Sequence, residues 1–381
     1  MKNLITSDKI KVDFSIRGFK VKTQKQLEIE NLIGRETIEL DVHEIKNLIE
    51  NQTILVTGAG GSIGSELCRQ IIKYNPAKLL MLDIYENNLY ELELDLKSKF
   101  SKNKIIPLIA SIRDANRLEE IFKKHKPYLV FHAAAHKHVP LMEDNPIEAI
   151  KNNVFGTKNL IDISDKYNIK RFTLISTDKA VNPTSIMGAT KNICEMLIQA
   201  KDQESSTEFV AVRFGNVFES NGSVIPVFKK QISEGGPITV THKDITRFFM
   251  TIPEAVSLVL QATTYAKGGE IFVLDMGKPI KIYDLAESLI KLSGLIPHKD
   301  IQIKITGLRP GEKLHEELML DFSNFIETNH KKIFIETAQN LSISEINKKI
   351  ENLNNIIKNE NISKKELQKV LKEIVSTYQF S

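Results

Sequence analysis

Tryptophan is missing from the chain, and cysteine occurs only twice in 381 residues, at Cys68 and Cys194. Both fall within helical patterns and have no metal-ligand spacing, which fits buried structural thiols in a reducing compartment. No stretch approaches the roughly 18 consecutive apolar residues of a membrane span, so no span is expected. The first residues, MKNLITSDKIKVDF, lack an apolar core followed by a small-residue cleavage site, so no secretory signal is read and a cytoplasmic location is expected. Excess charge is small as well. A net charge of +4, evenly spread, does not make nucleic acid the main partner, although a local basic cluster still suits a diphosphate.

What is present is an ordinary globular composition, 41% hydrophobic and 26% charged. From Thr53 onward, apolar runs (TILVTG, KLLMLDI, KIIPLIA, YLVFHAA, RFTLIST, FVAVRFG) alternate with amphipathic stretches. Strands that read as continuous apolar runs are buried on both faces, so the pattern predicts an α/β fold: a Rossmann-type, doubly wound parallel sheet covered by helices. After Asn216 the rhythm changes to Gly and Pro, then a helix (IPEAVSLVLQATTYA), a late strand (EIFVLDMG), another helix and the motif GLRPGEKLHEEL. Four regions are expected: an N-terminal extension to residue 50 that includes a short helix at DVHEIKNLIEN, a dinucleotide-binding domain over 51–215, a smaller lobe with a strand returning to the main sheet over 216–335, and a helical tail over 336–381. The tail is Asn/Lys/Glu-rich and reads as two exposed helices with a solvated charged face.

Between the first strand and the following helix lie Gly58, Gly60, Gly61, Ser62, Ile63 and Gly64. Glycines there make a tight turn and let the backbone approach a pyrophosphate, whose charge sits on free N–H groups of the helix N-terminus. A Gly-rich turn alone is weak. Its context is stronger, because strand, turn and helix come in order and Asp83 closes the next strand, where a ribose 2′-hydroxyl would be accepted. A carboxylate there, with no arginine directly after it, favours NAD over NADP. Ser111 and Ile112 follow the next strand, where an adenine edge is expected, and Ala133 and Ala134 in HAAA put small residues beside the cofactor.

At the end of RFTLIS stand Thr177, Asp178 and Lys179, in a loop at the carboxyl edge of a parallel sheet, where such folds bind ligands. Loss of water from a sugar needs a base beside a carbonyl and an acid for the departing hydroxyl, and Asp178 with Lys179 offers such a pair. By itself the pair reads more readily as a surface ion pair than as catalytic.

The runs TGAGGSIGSEL, AAAHKHVPLMEDNPIEAIKNNVFGT, STDKAVNPTSIMGATK, VRFGNVFESNGSVIPVF, DITRFFMTIPEAV and LRPGEKLHEEL together resemble the UDP-N-acetylglucosamine 4,6-dehydratases of bacterial polysaccharide and protein-glycosylation pathways, extended short-chain dehydrogenases/reductases. The resemblance spans residues 30 to 330. It implies that Thr177 bonds the sugar O4, Asp178 protonates the departing C6 hydroxyl, Lys179 removes the C5 proton and Lys191 binds the nicotinamide ribose. The superfamily's tyrosine, four residues before that lysine, is Met187 here. A thioether takes no proton, and Met at this place resembles the branch that retains the C5 configuration. Asn216, Arg247 and Arg309 are implied for the substrate diphosphate and Glu312 for the uridine ribose, with His136, Lys137, His138 and Val224 lining the pocket. No metal ligand set is read, and homo-oligomers are implied. The segments IRGFK and LIGRETIELD resemble the linker that follows a membrane domain in larger members.

Two other readings stay open. A UDP-sugar 4-epimerase would share the cofactor and the first hydride transfer but needs no acid at C6. A dinucleotide-binding protein without turnover would bind nucleotide and release no product.

Overall fold

A computed structural model of the chain describes residues 38–101, 104–319, 325–336, 342–358 and 362–380. The linker-like segments IRGFK and the start of LIGRETIELD lie outside them, as do the first 37 residues of the expected extension.

Helix α1 (Val42–Ile49) forms where DVHEIKNLIEN predicted it, with Asp41 accepting from the His43 and Glu44 amides as N-cap. Then follow β1 (Thr53–Thr57), α2 (Ser62–Ile71), β2 (Lys78–Asp83), α3 (Glu86–Lys97), β3 (Ile105–Ile109), α4 (Ala115–His125), β4 (Leu129–His132), the short α5 (Val139–Asp144) and α6 (Pro146–Ala149), α7 (Gly156–Lys166), β5 (Arg171–Ile175), α8 (Ile186–Asp202) and β6 (Glu208–Arg213). These six strands are parallel and lie in the spatial order β3-β2-β1-β4-β5-β6. This is the doubly wound arrangement that the apolar runs predicted, with its switch point between β1 and β4.

Alternation within each strand feeds two cores. Leu55, Leu80, Val130 and Phe172 join the core on one face, and Ile54, Val56, Met81, Phe131 and Val212 the core on the other. Both buried cysteines belong to these cores, and burial pushes both thiols up, so neither is a thiolate at neutral pH.

The second half begins with β7 (Asn216–Val217), α9 (Val224–Ser233), β8 (Ile238–Val240), β9 (Thr246–Arg247), β10 (Phe249–Met250) and α10 (Ile252–Tyr265). It continues with β11 (Ile271–Leu274), β12 (Ile280–Lys281), α11 (Ile282–Leu292), β13 (Ile303–Ile305), β14 (Phe325–Glu327) and β15 (Ile333–Glu336). Around Phe228, Ile238, Phe249 and Leu289 the smaller lobe has a core of its own. The chain then returns to the main sheet. Strand β11 pairs parallel to β6, and β15 and β14 follow antiparallel, which brings the sheet to nine strands among the described residues.

The tail departs from its sequence reading. Helices α12 (Ile343–Ile356) and α13 (Lys364–Ile374) bury Ile346, Ile350, Leu353, Leu367 and Leu371 in the main core, packed against α8. The charged face is solvated as expected, but the apolar stripe at helical spacing finds a partner in the chain itself. Gln379 donates to the Pro183 carbonyl, and Lys364 pairs with Glu143, whose other oxygen accepts the Ile186 amide at 2.7 Å.

Candidate active site

The glycine turn is held by contacts that admit no side chain. Gly58 has φ +67°, and a Cβ there would lie 2.6 Å from the Ala134 nitrogen, so β1 and the residues after β4 meet backbone to backbone. A Cβ on Gly64 would lie 2.0 Å from the Gly58 oxygen, which fixes how closely α2 starts above the turn. The Gly60 amide donates to Asp83 Oδ2 at 2.8 Å, and Oδ1 accepts the Tyr85 amide, so Asp83 ties the turn to the end of β2. Gly61 caps α2 without any side-chain hydrogen bond. Ser62 accepts the Asn221 amide at 3.2 Å, joining the turn to the loop after β7, and Ile63 is half-buried beside it.

Two cofactor-side residues sit differently from the simplest expectation. Ile112 buries its side chain in the core against Gly156, so only its main chain is available to an adenine. Ser111 turns its hydroxyl to the Arg113 amide at 3.2 Å. Ala133 and Ala134 are half-buried at the switch point. Buried His132 bonds Thr57 and Thr157, and burial holds its pKa far below the usual histidine range, so the ring is neutral.

The loop after β5 gathers the polar set. Asp178 is fully buried; its Oδ1 accepts both the Thr177 hydroxyl and the Lys179 amine at 2.9 Å, while Oδ2 has no partner among the described residues. The Lys179 amine also donates to Asn216 Oδ1 at 3.2 Å and lies 3.4 Å from Glu316 Oε1. Burial alone would lower this amine, but the charges of Asp178 and Glu316 outweigh it and hold it above its ordinary value. The amine is therefore protonated in this state.

Ser185 caps α8 by accepting the Gly188 amide at 3.1 Å. In its first turn Met187 is 3% exposed and belongs to the main core, so it packs rather than presents itself. One turn on, Lys191 donates to the Ile175 carbonyl at 2.8 Å, and burial pushes its amine down. A second ion-pair system lies beneath. Glu195 accepts the Ser176 hydroxyl at 2.6 Å and clasps Arg213, which also reaches Glu336 on β15.

The smaller lobe closes on this loop through LRPGEKLHEEL. Thr184 donates to the Gly311 carbonyl and Lys313 to the Val181 carbonyl, and a Cβ on Gly311 would lie 2.8 Å from Ser185 Cβ. A cavity remains between them, walled by Lys179, Arg247, Arg309, Glu312, Lys313 and Glu316 among others. Arg309 is exposed at its rim, and its amide donates to Glu312 Oε2 at 3.1 Å. Arg247, implied for the substrate diphosphate, is buried and engaged, 3.4 Å from Glu312 and 3.7 Å from Glu316. To meet a diphosphate it must exchange partners. Val224 opens α9 and packs on the small core.

His136, Lys137 and His138 are exposed on the loop after β4. Asn153 pins the first of them by accepting the His136 amide at 2.8 Å and donating to its carbonyl at 3.0 Å. The His138 ring occupies the space a Gly222 side chain would need. Partial desolvation and the neighbouring Lys179 charge lower the Lys137 amine.

Asn153, Glu195, Arg213 and Glu316 carry this geometry without having been singled out in the sequence. For Glu195 and Arg213 the sequence signal was a charge inside an otherwise apolar run, NICEMLI and FVAVRFG, whereas Asn153 and Glu316 stand in polar stretches that gave none.

Residues 54–338 match the model of a family described as polysaccharide biosynthesis protein. The chain is 50% identical over 352 residues to the capsular polysaccharide biosynthesis protein CapD of Staphylococcus aureus, covering 92% of this chain and 58% of CapD, so it spans little more than half of that relative. It is 34% identical to the UDP-N-acetylglucosamine 4,6-dehydratase (inverting) of Campylobacter jejuni, over 79% of this chain and 90% of that one. A UDP-glucose 4-epimerase of Rickettsia canadensis is also 34% identical, over 71% of this chain and 78% of its own length. Among solved structures, the X-ray structure of Pen from Bacillus thuringiensis superposes with a TM-score of 0.71 at 35% identity, covering 77% of this chain and 89% of that one. Among the described residues no helix is long and apolar enough to cross a membrane. With the Rossmann-like sheet, its glycine turn and the family match over most of its length, the chain belongs to the polysaccharide biosynthesis protein family, on the fold of the extended short-chain dehydrogenases/reductases.

Proposed function

We propose that the chain is an NAD-dependent 4,6-dehydratase of UDP-N-acetylglucosamine that retains the C5 configuration. The observation that carries this reading is the hydrogen-bonded set Thr177–Asp178–Lys179, with one buried Asp178 oxygen unpaired among the described residues.

The glycine turn fits a dinucleotide, since a Cβ at Gly58 or Gly64 would collide with backbone and α2 starts without a side-chain cap. Asp83 would hold the adenosine ribose and Lys191 the nicotinamide ribose. Bound NAD supplies the acceptor for the C4 hydride and its donor to C6.

The protons are then handled by side chains alone. Thr177 takes the C4 hydroxyl proton and passes its own to Asp178 Oδ1, along the 2.9 Å hydrogen bond between them. This route needs no tyrosine, which accounts for a packed methionine at position 187. Asp178, now a carboxylic acid, protonates the C6 hydroxyl as it leaves as water. Neutral Lys179 removes the C5 proton, made acidic by the C4 ketone, and after reduction at C6 returns it to the same face. Asp178 ends ionised and Lys179 neutral, as they began, and one water has been lost. Turnover therefore requires Lys179 to shed the proton it carries at rest.

Arg309, Arg247 and Asn216 would meet the diphosphate, Glu312 the uridine ribose, and His136 to His138 the sugar side. The epimerase reading draws on the Rickettsia relative. Against it stands a buried carboxylate beside an amine, which epimerisation at C4 does not use. Incubating the protein with UDP-N-acetylglucosamine and NAD tests the choice by mass spectrometry: loss of one water supports the dehydratase, whereas an unchanged mass with a C4 epimer supports the epimerase and overturns it.

A further inference from the structure

Glu316 lies in the smaller lobe, in the motif that also brings Arg309, Glu312 and Lys313 to the cavity, and its side chain is 3% exposed. Its Oε1 is 3.4 Å from the Lys179 amine and 3.7 Å from Arg247 Nε, and its Oε2 has no partner among the described residues. A buried carboxylate with an open oxygen costs stability unless nearby cations compensate it, and here those cations are two residues of the proposed site. Neighbouring Glu317 shows the ordinary alternative. It is exposed and pairs with Lys313 and Asn182.

We propose that Glu316 is a positioning residue for Lys179, fixing the amine from the substrate-lobe side and strengthening it as a base for a carbon-bound proton. This rests on the dehydratase reading. Removing a proton beside a ketone calls for a strong base at a fixed place, and the rate of that step from the neutral amine follows its base strength. Asp178 and Asn216 hold the amine from the main domain, and Glu316 supplies the third contact and a second negative charge. The ammonium that forms as C5 loses its proton is then stabilised by the Glu316 carboxylate and, once Asp178 has given its proton to the leaving C6 hydroxyl, by a second carboxylate. Other charges face the same amine. Arg247 opposes protonation from β9, Lys137 faces it from the loop after β4, and Arg309, Glu312 and Lys313 share the cavity wall. Glu316 is the member that touches both Lys179 and Arg247, so it also joins the amine to the guanidinium proposed for the diphosphate.

The test compares wild type with Glu316→Gln, which keeps shape and removes charge, and Glu316→Asp, which keeps charge. Expected for Glu316→Gln is a limiting kcat, read on the plateau above the rising limb where the amine is neutral, at least about tenfold lower, with KM for UDP-N-acetylglucosamine changed by less than about threefold. The rising limb of kcat against pH should also move about one pH unit or more toward acid, because the amine loses one of two carboxylates. Glu316→Asp should restore part of both. A uniform loss of rate with an unmoved limb, or no loss at all, would overturn the proposal. A second readout needs no turnover: the Lys179 amine is titrated by NMR of ¹³C-labelled lysine, assigned with Lys179→Met. Its midpoint should fall in Glu316→Gln, and an unchanged midpoint overturns the proposal even if the wild type converts no UDP-sugar, an outcome that would by itself sink only the dehydratase reading.

Discussion

Lys179 donates to the same Asp178 oxygen that accepts the Thr177 hydroxyl, at 2.9 Å in both cases, while the second Asp178 oxygen is buried and has no partner among the described residues. One carboxylate thus holds the proposed base and the proposed proton carrier together. Asp178→Asn keeps the shape but cannot cycle a proton, and Lys179→Met removes the amine. Each is expected to lower kcat about 100- to 10,000-fold, while NAD affinity, measured by calorimetry, stays within about threefold. Near-native turnover in either variant would remove that residue from the chemistry.

Met187 stands where a reactive tyrosine is usual, but it is packed in the main core. Met187→Ala should cost about 2–5 kcal/mol in denaturant unfolding, and Met187→Leu under about 1.5 kcal/mol. Turnover of the folded leucine variant should be close to wild type. A leucine variant that is stable but inactive would show that the thioether takes part in the reaction.

The glycines of the turn are not equivalent. At Gly64 a Cβ would sit 2.0 Å from the Gly58 oxygen, whereas at Gly61 the nearest contact would be 3.2 Å. Gly64→Ala should lower NAD affinity at least about tenfold together with Tm, and Gly61→Ala much less on both counts. Equal effects would mean that the backbone approach at Gly64 is not what shapes the cofactor site.

Asp202 gives a pH test away from the site. Desolvation, with help from Glu270 and Glu208, raises its carboxyl to about 6. Its folded pKa lies above the unfolded value, so the fold favours the protonated form, and stability falls as pH rises from about 4 through about 6. Asp202→Asn, which keeps an acceptor for the Phe209 amide, should raise Tm at pH 8 and leave it nearly unchanged at pH 4. A gain that is the same at both pH values would rule out titration of Asp202 as its source.

The six parallel strands were legible because each is an unbroken apolar run between helical patterns, and Asp83 and the glycines were legible through their order. Less was visible at the sheet's far edge. Strand β15 is short and flanked by charge, and its antiparallel pairing with β11 depends on partners distant in sequence. Glu316 and Glu317 are identical letters side by side; tertiary packing alone turns one inward to Lys179 and the other to solvent. The tail misled in the same way, since an apolar stripe at helical spacing does not say whether its partner is in the chain, and here it is α8. Nothing in DITRFF shows that the fold brings Glu312 and Glu316 beside Arg247.

The most direct test of the account follows one hydrogen. UDP-N-acetylglucosamine carrying deuterium at C4 is incubated with the protein and NAD, and the product is read by proton and deuterium NMR. The account predicts a C4 ketone whose new C6 methyl carries the label, with the C5 configuration unchanged. A product that keeps deuterium at C4, whether as unchanged sugar or as its C4 epimer, would contradict it.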